Sequence, residues 1–209
     1  VLVPFVKIST AQLKLLLPIA LVMGLGHFYV LAVGISIVPG VIASVCFLLG
    51  AHFSTLLSYL FLHERITPVQ TWAIVIATIG AILPTLLLGQ NDLQWGVFLV
   101  ILSTFMWAVG NIQIRKLKQL SVLSIQFWIA IITAPLCFVA YLLQADSTPI
   151  LPQFTISIIL CLVYVVLCSS ILSYSLWYGL IHRHGMSRVA GFVLLQPIFT
   201  LTFGYLILG

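Results

Sequence analysis

Apolar runs long enough to cross a bilayer fill this sequence one after another, with short polar breaks between them. A spanning helix needs about 20 mostly apolar residues, because each residue advances it by only ~1.5 Å. Seven segments meet that length: about 15–37, 41–62, 69–88, 95–114, 122–143, 154–181 and 189–208. The breaks carry turn chemistry: Ile37-Val38-Pro39-Gly40, Thr67-Pro68, Gly89-Gln90-Asn91-Asp92, and Ser147-Thr148-Pro149 through Pro152. Thr67-Pro68 has the form of a helix start, an N-cap followed by proline at the first helical position. Composition excludes a water-soluble domain. Of the 209 residues 63% are hydrophobic and 5% charged, against the about 25% charge that a water-facing surface carries. The expected fold class is an all-α integral membrane protein, a polytopic helical bundle. Residues 1–10 read as the tail of an earlier span and the chain stops directly after an apolar run, so a fragment is expected.

Charge orients the bundle. Lys7, Lys14, Arg65, Arg115, Lys116, Lys118, Arg183 and Arg188, every Lys and Arg in the chain, fall on one side when the loops are taken alternately. Asp92 and Asp146 fall on the other. Positive loops stay in the cytoplasm, so the basic side is inside. The net charge of +5 is thereby accounted for without a nucleic-acid partner. The expected partners are the lipid bilayer and a small-molecule substrate, with a homodimer left open. Cys46, Cys137, Cys161 and Cys168 lie in apolar segments without CxxC or Cys/His metal spacing. They read as small packing residues, and no metal or cofactor is expected.

A pattern occurs twice. At a constant offset Phe28 meets Tyr174, Leu49 meets Leu195, Phe53 meets Phe199, and Tyr59 meets Tyr205. The first copy enters its helical hairpin from inside and the second from outside, so the repeat is inverted. Many secondary transporters are built this way, with substrate held near the midplane between the halves. Pro197 with "LTFGYLILG", "LSYLFLHERIT" ending in Glu64-Arg65, and "MWAVGNIQIRKL" resemble the EamA family of the drug/metabolite transporter superfamily. The last of these, and "SYSLWYGLIHRHGMSRVAGFVLLQPI", are similar to its bacterial O-acetylserine/cysteine exporter subgroup. The resemblance implies ten helices in two five-helix repeats with both termini cytoplasmic, of which these seven spans would be helices three to nine. Residues 1–89 would then be the rest of the first repeat and 90–209 the second without its last helix. Ala51 departs from the pattern, standing where many members have the proline that matches Pro197.

The function this implies is export of small metabolites, amino acids or derivatives resembling O-acetylserine and cysteine, by alternating access across the bacterial inner membrane. A multidrug or other metabolite permease is the alternative. An intramembrane enzyme is the remote one, since His27, His52 and a serine such as Ser44 have no acid to orient either ring.

Polar side chains at membrane depth are the candidate substrate contacts, because hydrocarbon tolerates them only against a cavity or another helix. His27 sits mid-span with Gly24 and Gly34 on roughly its face, suited to a cavity wall, and His52 sits in the middle of the second span. Each could instead make an interhelical hydrogen bond. Ser103, Trp107 and Asn111 form one stripe of the fourth span, where Asn111 either binds a polar substrate group or ties two helices together. Ser170, Ser173, Tyr174 and Trp177 form another on the sixth, suited to a small zwitterion or to ordinary packing. Gln196 precedes Pro197, which frees a backbone carbonyl. Glu64, at a membrane boundary, reads as a structural and readily solvated carboxylate.

Overall fold

The structure is a computed structural model that describes residues 8–73, 75–76, 79, 91–117, 120–144 and 155–190, together with 192, 195, 199, 202–203 and 205–206. The regular elements among these residues are all helical. Five helices are long and apolar enough to span a membrane: Thr10–Ile37, Ile42–Leu62, Gln94–Lys116, Val122–Leu143 and Ile156–His184. They coincide with five expected spans. The expected spans 69–88 and 189–208 lie mostly outside the described residues.

The first span begins earlier than hydropathy suggested, because its cap decides the start. The Ser9 side chain accepts the Gln12 N–H while the Gln12 side chain accepts the Ser9 N–H, a reciprocal capping box. This span is not a uniform α-helix. It runs as α1 (Thr10–Ile19), a π-helical segment (Ala20–His27) and α2 (Phe28–Ile37). Pro18 near the end of α1 lacks the N–H that would continue the regular ladder, and a wider turn follows it. The second span is α3 (Gly40–Phe47) and α4 (Leu49–Leu62), and α4 is closed by His63 in the left-handed conformation at φ 54°. After α5 (Asn91–Lys116) and α6 (Val122–Gln144) the last described span repeats the first span's design: α7 (Ile156–Tyr164), a π segment (Val165–Leu172) and α8 (Ser173–His184). The second π segment begins within one residue of where the Phe28-to-Tyr174 offset carries the first. Short α9 (Met186–Ala190) follows directly.

α5 is the centre of the described bundle, packed against α2, α3, α4, α8 and the first π segment. Toward the outside, Val38, Ala43, Cys46, Val97 and Val100 form one apolar cluster. Glycine brings the backbones close there: a methyl group added at Gly34 would lie 2.8 Å from Val100 Cγ2, and one at Gly96 would lie 2.9 Å from Ile37 Cβ. Toward the inside, a larger cluster joins Leu16, Ile19, Met23, Ala108, Ile112, Tyr178 and Ile181 among others. Lipid would cover the rest. α7 and its π segment bury no residue among the described helices, and their apolar side chains suit hydrocarbon contact.

Candidate functional site

The four-residue spacing of Ser103, Trp107 and Asn111 stacks them on one face of α5, and at Trp107 and Asn111 that face meets α8. Trp107 and Trp177 stack with ring centroids 5.4 Å apart and planes 28° from parallel. The Trp177 Nε1–H donates to Asn111 Oδ1 at 3.0 Å. Asn111 is 0% exposed, yet its Nδ2 donor has no hydrogen-bond partner among the described residues. An unmet amide donor held away from water costs about 1–3 kcal/mol. Tyr174 stands 5.5 Å from the Tyr178 ring, and the Tyr178 hydroxyl contacts Met23 Sδ at 3.6 Å. The cluster therefore joins α5 and α8 to the first π segment.

His27 lies farther out along the same stripe. Its Nδ1 is 2.8 Å from the Ser103 carbonyl oxygen. A carbonyl only accepts, so Nδ1 carries the proton and donates. Ser103 is eight positions from Asn111, or about 12 Å along the helix. The glycines beside His27 do not line a cavity wall, as the sequence suggested. Thr133 of α6 fills the space at Gly24 and Val100 of α5 fills that at Gly34, because small residues let whole helices close together.

His52 faces away from this cluster. Its Nδ1 lies 2.8 Å from the Leu48 carbonyl oxygen and its Nε2 3.1 Å from that of Ala73. A neutral ring donates to one of these and a protonated ring to both. Either way both nitrogens are engaged with backbone, an anchoring geometry between α4 and the Ala73 segment.

Four of the expected contacts thus converge (Trp107, Asn111, Tyr174 and Trp177), with His27 on the same stripe. Ser173 does not join them. It is exposed, and its hydroxyl donates to the Cys168 carbonyl five residues back. The expected stripe from Ser170 to Trp177 assumed uniform α-helical spacing. The π segment ending at Leu172 breaks that spacing between Ser170 and the residues of α8, and Ser170 is exposed while Tyr174 and Trp177 are partly buried. Gln196 lies outside the described residues.

Sequence reasoning missed two polar groupings. Gln126 Nε2 of α6 donates to Ser175 Oγ of α8 at 3.2 Å, a contact between residues far apart in the chain. The second gathers around Glu64. Its carboxylate accepts from Ser58 Oγ at 2.7 Å, Ser187 N at 3.0 Å and Met186 N at 3.4 Å. Arg115 Nε approaches it at 3.8 Å. Arg115 Nη1 also donates to the His182 carbonyl, and His182 Nε2 donates to the Ile114 carbonyl at 3.1 Å. Burial alone would raise the Glu64 carboxyl pKa, but the donors from Ser187, Ser58 and Met186 together outweigh it and hold the group below its usual value. The solvated boundary carboxylate expected from the sequence is instead a four-partner hub. Its partners Arg115, Met186 and Ser187 are remote in the chain, which is why hydropathy could not reveal it.

The EamA-like transporter family matches residues 1–86 and 94–209. The chain is 32% identical over 215 residues to a probable amino-acid metabolite efflux pump of Salmonella typhimurium, covering 98% of this chain and 72% of that protein. A protein of the same description from Escherichia coli is 31% identical over 214 residues, again covering 98% and 72%. An uncharacterized transporter of Bacillus subtilis is 22% identical over 206 residues, covering 96% of this chain and 69% of that protein. No solved structure matches the chain.

Proposed function

Because this chain belongs to the EamA-like transporter family, we propose that it exports small amino acids or derivatives, resembling O-acetylserine and cysteine, by alternating access. It is a multi-pass protein of the bacterial inner membrane, and the positive-inside rule puts its Lys- and Arg-bearing loops in the cytoplasm. The observation that carries the substrate reading is the unmet Nδ2 donor of buried Asn111 beside the stacked Trp107 and Trp177. A free amide N–H suits a substrate carboxylate, and two indole rings suit the apolar part or cationic end of a small zwitterion. Tyr174 completes the contacts there, His27 is a separate contact farther out along the pathway, and Gln196 is an additional contact. His52 and Ser173, whose polar atoms are already bonded to backbone, hold the wall rather than the substrate. On the same reading residues 1–89 and 90–209 are two inverted repeats, with the site where they meet.

The test uses the full-length protein in cells that overproduce cysteine precursors, with extracellular amino acids quantified against vector and an Asn111→Leu variant. A rise in O-acetylserine or cysteine that the variant loses supports both the export and the site. A rise that the variant keeps retains the export and removes Asn111 from the site. No rise in any amino acid, with the protein present in the membrane, moves the assignment to another metabolite or to drugs. Labelled substrate recovered unchanged outside separates transport from enzymatic conversion.

A further inference from the structure

Three inner-side segments meet at Glu64: the end of α4, the end of α5 through Arg115, and the turn from α8 to α9 through Met186 and Ser187. The local chain is shaped for this. His63 takes the left-handed conformation at φ 54° and reverses the chain at the end of α4, setting Glu64 beside Ser58. Across the gap Gly185 has φ 88°, and a Cβ there would lie 2.9 Å from Glu64 Oε1. Only glycine both adopts that backbone and leaves room for the carboxylate to reach the two N–H groups behind it.

We propose that Glu64 is the latch that holds the cytoplasmic side of the substrate pathway closed, by binding the α8–α9 turn to the end of α4. This rests on the transporter reading above, since a latch matters only in a chain that alternates. The contacts suit the role. They are directional, few, and made at the membrane boundary, where each donor and each carboxylate oxygen can exchange its partner for water when the segments part. Arg115 and His182 sit beside the latch and link α5 to α8 on the same side. In this arrangement Asn111 is fully buried, and Trp107 and Trp177 are partly buried beside it. The relation is a positioning one, because Glu64 touches no part of that cluster.

The experiment places one cysteine at Thr55, buried on α4 about one turn farther into the membrane than Ser58, in a cysteine-free full-length protein. Its rate of labelling by a membrane-impermeant maleimide is measured from the cytoplasmic face in inside-out vesicles. Loss of a charge-assisted hydrogen bond corresponds to about a tenfold population shift, so Glu64→Ala is expected to speed labelling by that much. Gly185→Ala, which keeps the carboxylate but pushes it off the N–H groups, should act in the same direction, and Glu64→Gln should fall between. A structural anchor would instead lower thermal stability with no change in accessibility from inside. The latch is overturned if correctly inserted Glu64→Gln and Gly185→Ala both label within roughly twofold of the parent, a change too small to register a lost charged contact. These two variants decide the matter even where Glu64→Ala does not accumulate. No substrate is needed, so the latch and the amino-acid assignment can fail separately.

Discussion

At its outer end α5 meets its neighbours through methyl groups and glycine backbones, whereas at its inner end it meets them through an amide, a guanidinium and a carboxylate. Val100 closes on Gly34 and Gly96 closes on Ile37 and Val38. Asn111 and Arg115, about three to five turns farther in, engage Trp177, His182 and Glu64. The difference is in reversibility. Lipid gives apolar packing no hydrophobic drive to separate or reform, and close-packed glycine contacts cannot shift without a clash. Directional polar contacts near an interface can be exchanged for water. One helix is thus gripped at one end and releasable at the other, as a pivot requires.

The largest expected effect breaks the gripped end. Gly96→Val sets a side chain against Ile37 and Val38, and overpacking of this kind costs about 2–3 kcal/mol. Thermal unfolding of the full-length protein in detergent checks it. A variant as stable as the parent would mean the outer end is not tightly gripped at all.

The next sharpens the inner end. Trp177→Phe keeps a ring against Trp107 but leaves Asn111 Oδ1 without its donor, for an expected loss of about 1–3 kcal/mol. Adding Asn111→Leu removes the orphaned amide too, so the double variant should regain about 1 kcal/mol or more of that stability. Export should stay lost in the double variant. Recovery of export along with stability would mean the amide is only a tie between α5 and α8.

A smaller change is expected from His27→Ala. Its bond to the Ser103 carbonyl is an interhelical contact in the membrane, worth about 0.6 kcal/mol and at most ~2. A larger fall in export than that loss of stability explains would place His27 against the substrate.

The smallest concerns pH. The Glu64 carboxyl is held below its usual value by its donors, so its contribution is fully present above the unfolded pKa and is lost as pH falls through the lower folded one. Labelling at the inner end, taken relative to an exposed reference thiol at each pH so that the falling thiolate fraction cancels, should therefore stay flat from neutral pH down to about pH 5 and rise only below it. Glu64→Gln should show no such rise. Arg115 is the charged side chain that faces the carboxylate, and the Glu64→Gln comparison is what assigns the onset to Glu64. Onset near neutral pH in the parent would take the inner contact away from Glu64.

Legibility in the sequence followed the range of the interaction. Five spans were readable because each is a local run of apolar side chains, and the sidedness because it depends only on which loops hold Lys and Arg. The stripe of Trp107 and Asn111 was readable because α5 is regular over its length. Ser170 was misplaced relative to Tyr174 and Trp177 because a π turn changes helical spacing without a proline to announce it. Pro18 marked the first π segment; nothing comparable stands at the second.

The sequence by itself therefore determined the solvent, the helical class, the orientation and the family, because a bilayer constrains each segment independently of the others. Only the tertiary structure decided which polar groups find one another. Asn111 and Trp177, Glu64 and Ser187, and Gln126 and Ser175 meet through helix packing and chain reversals across long separations. Hydrocarbon demands that a buried polar group have a partner, and it is the packing of whole helices that selects which one.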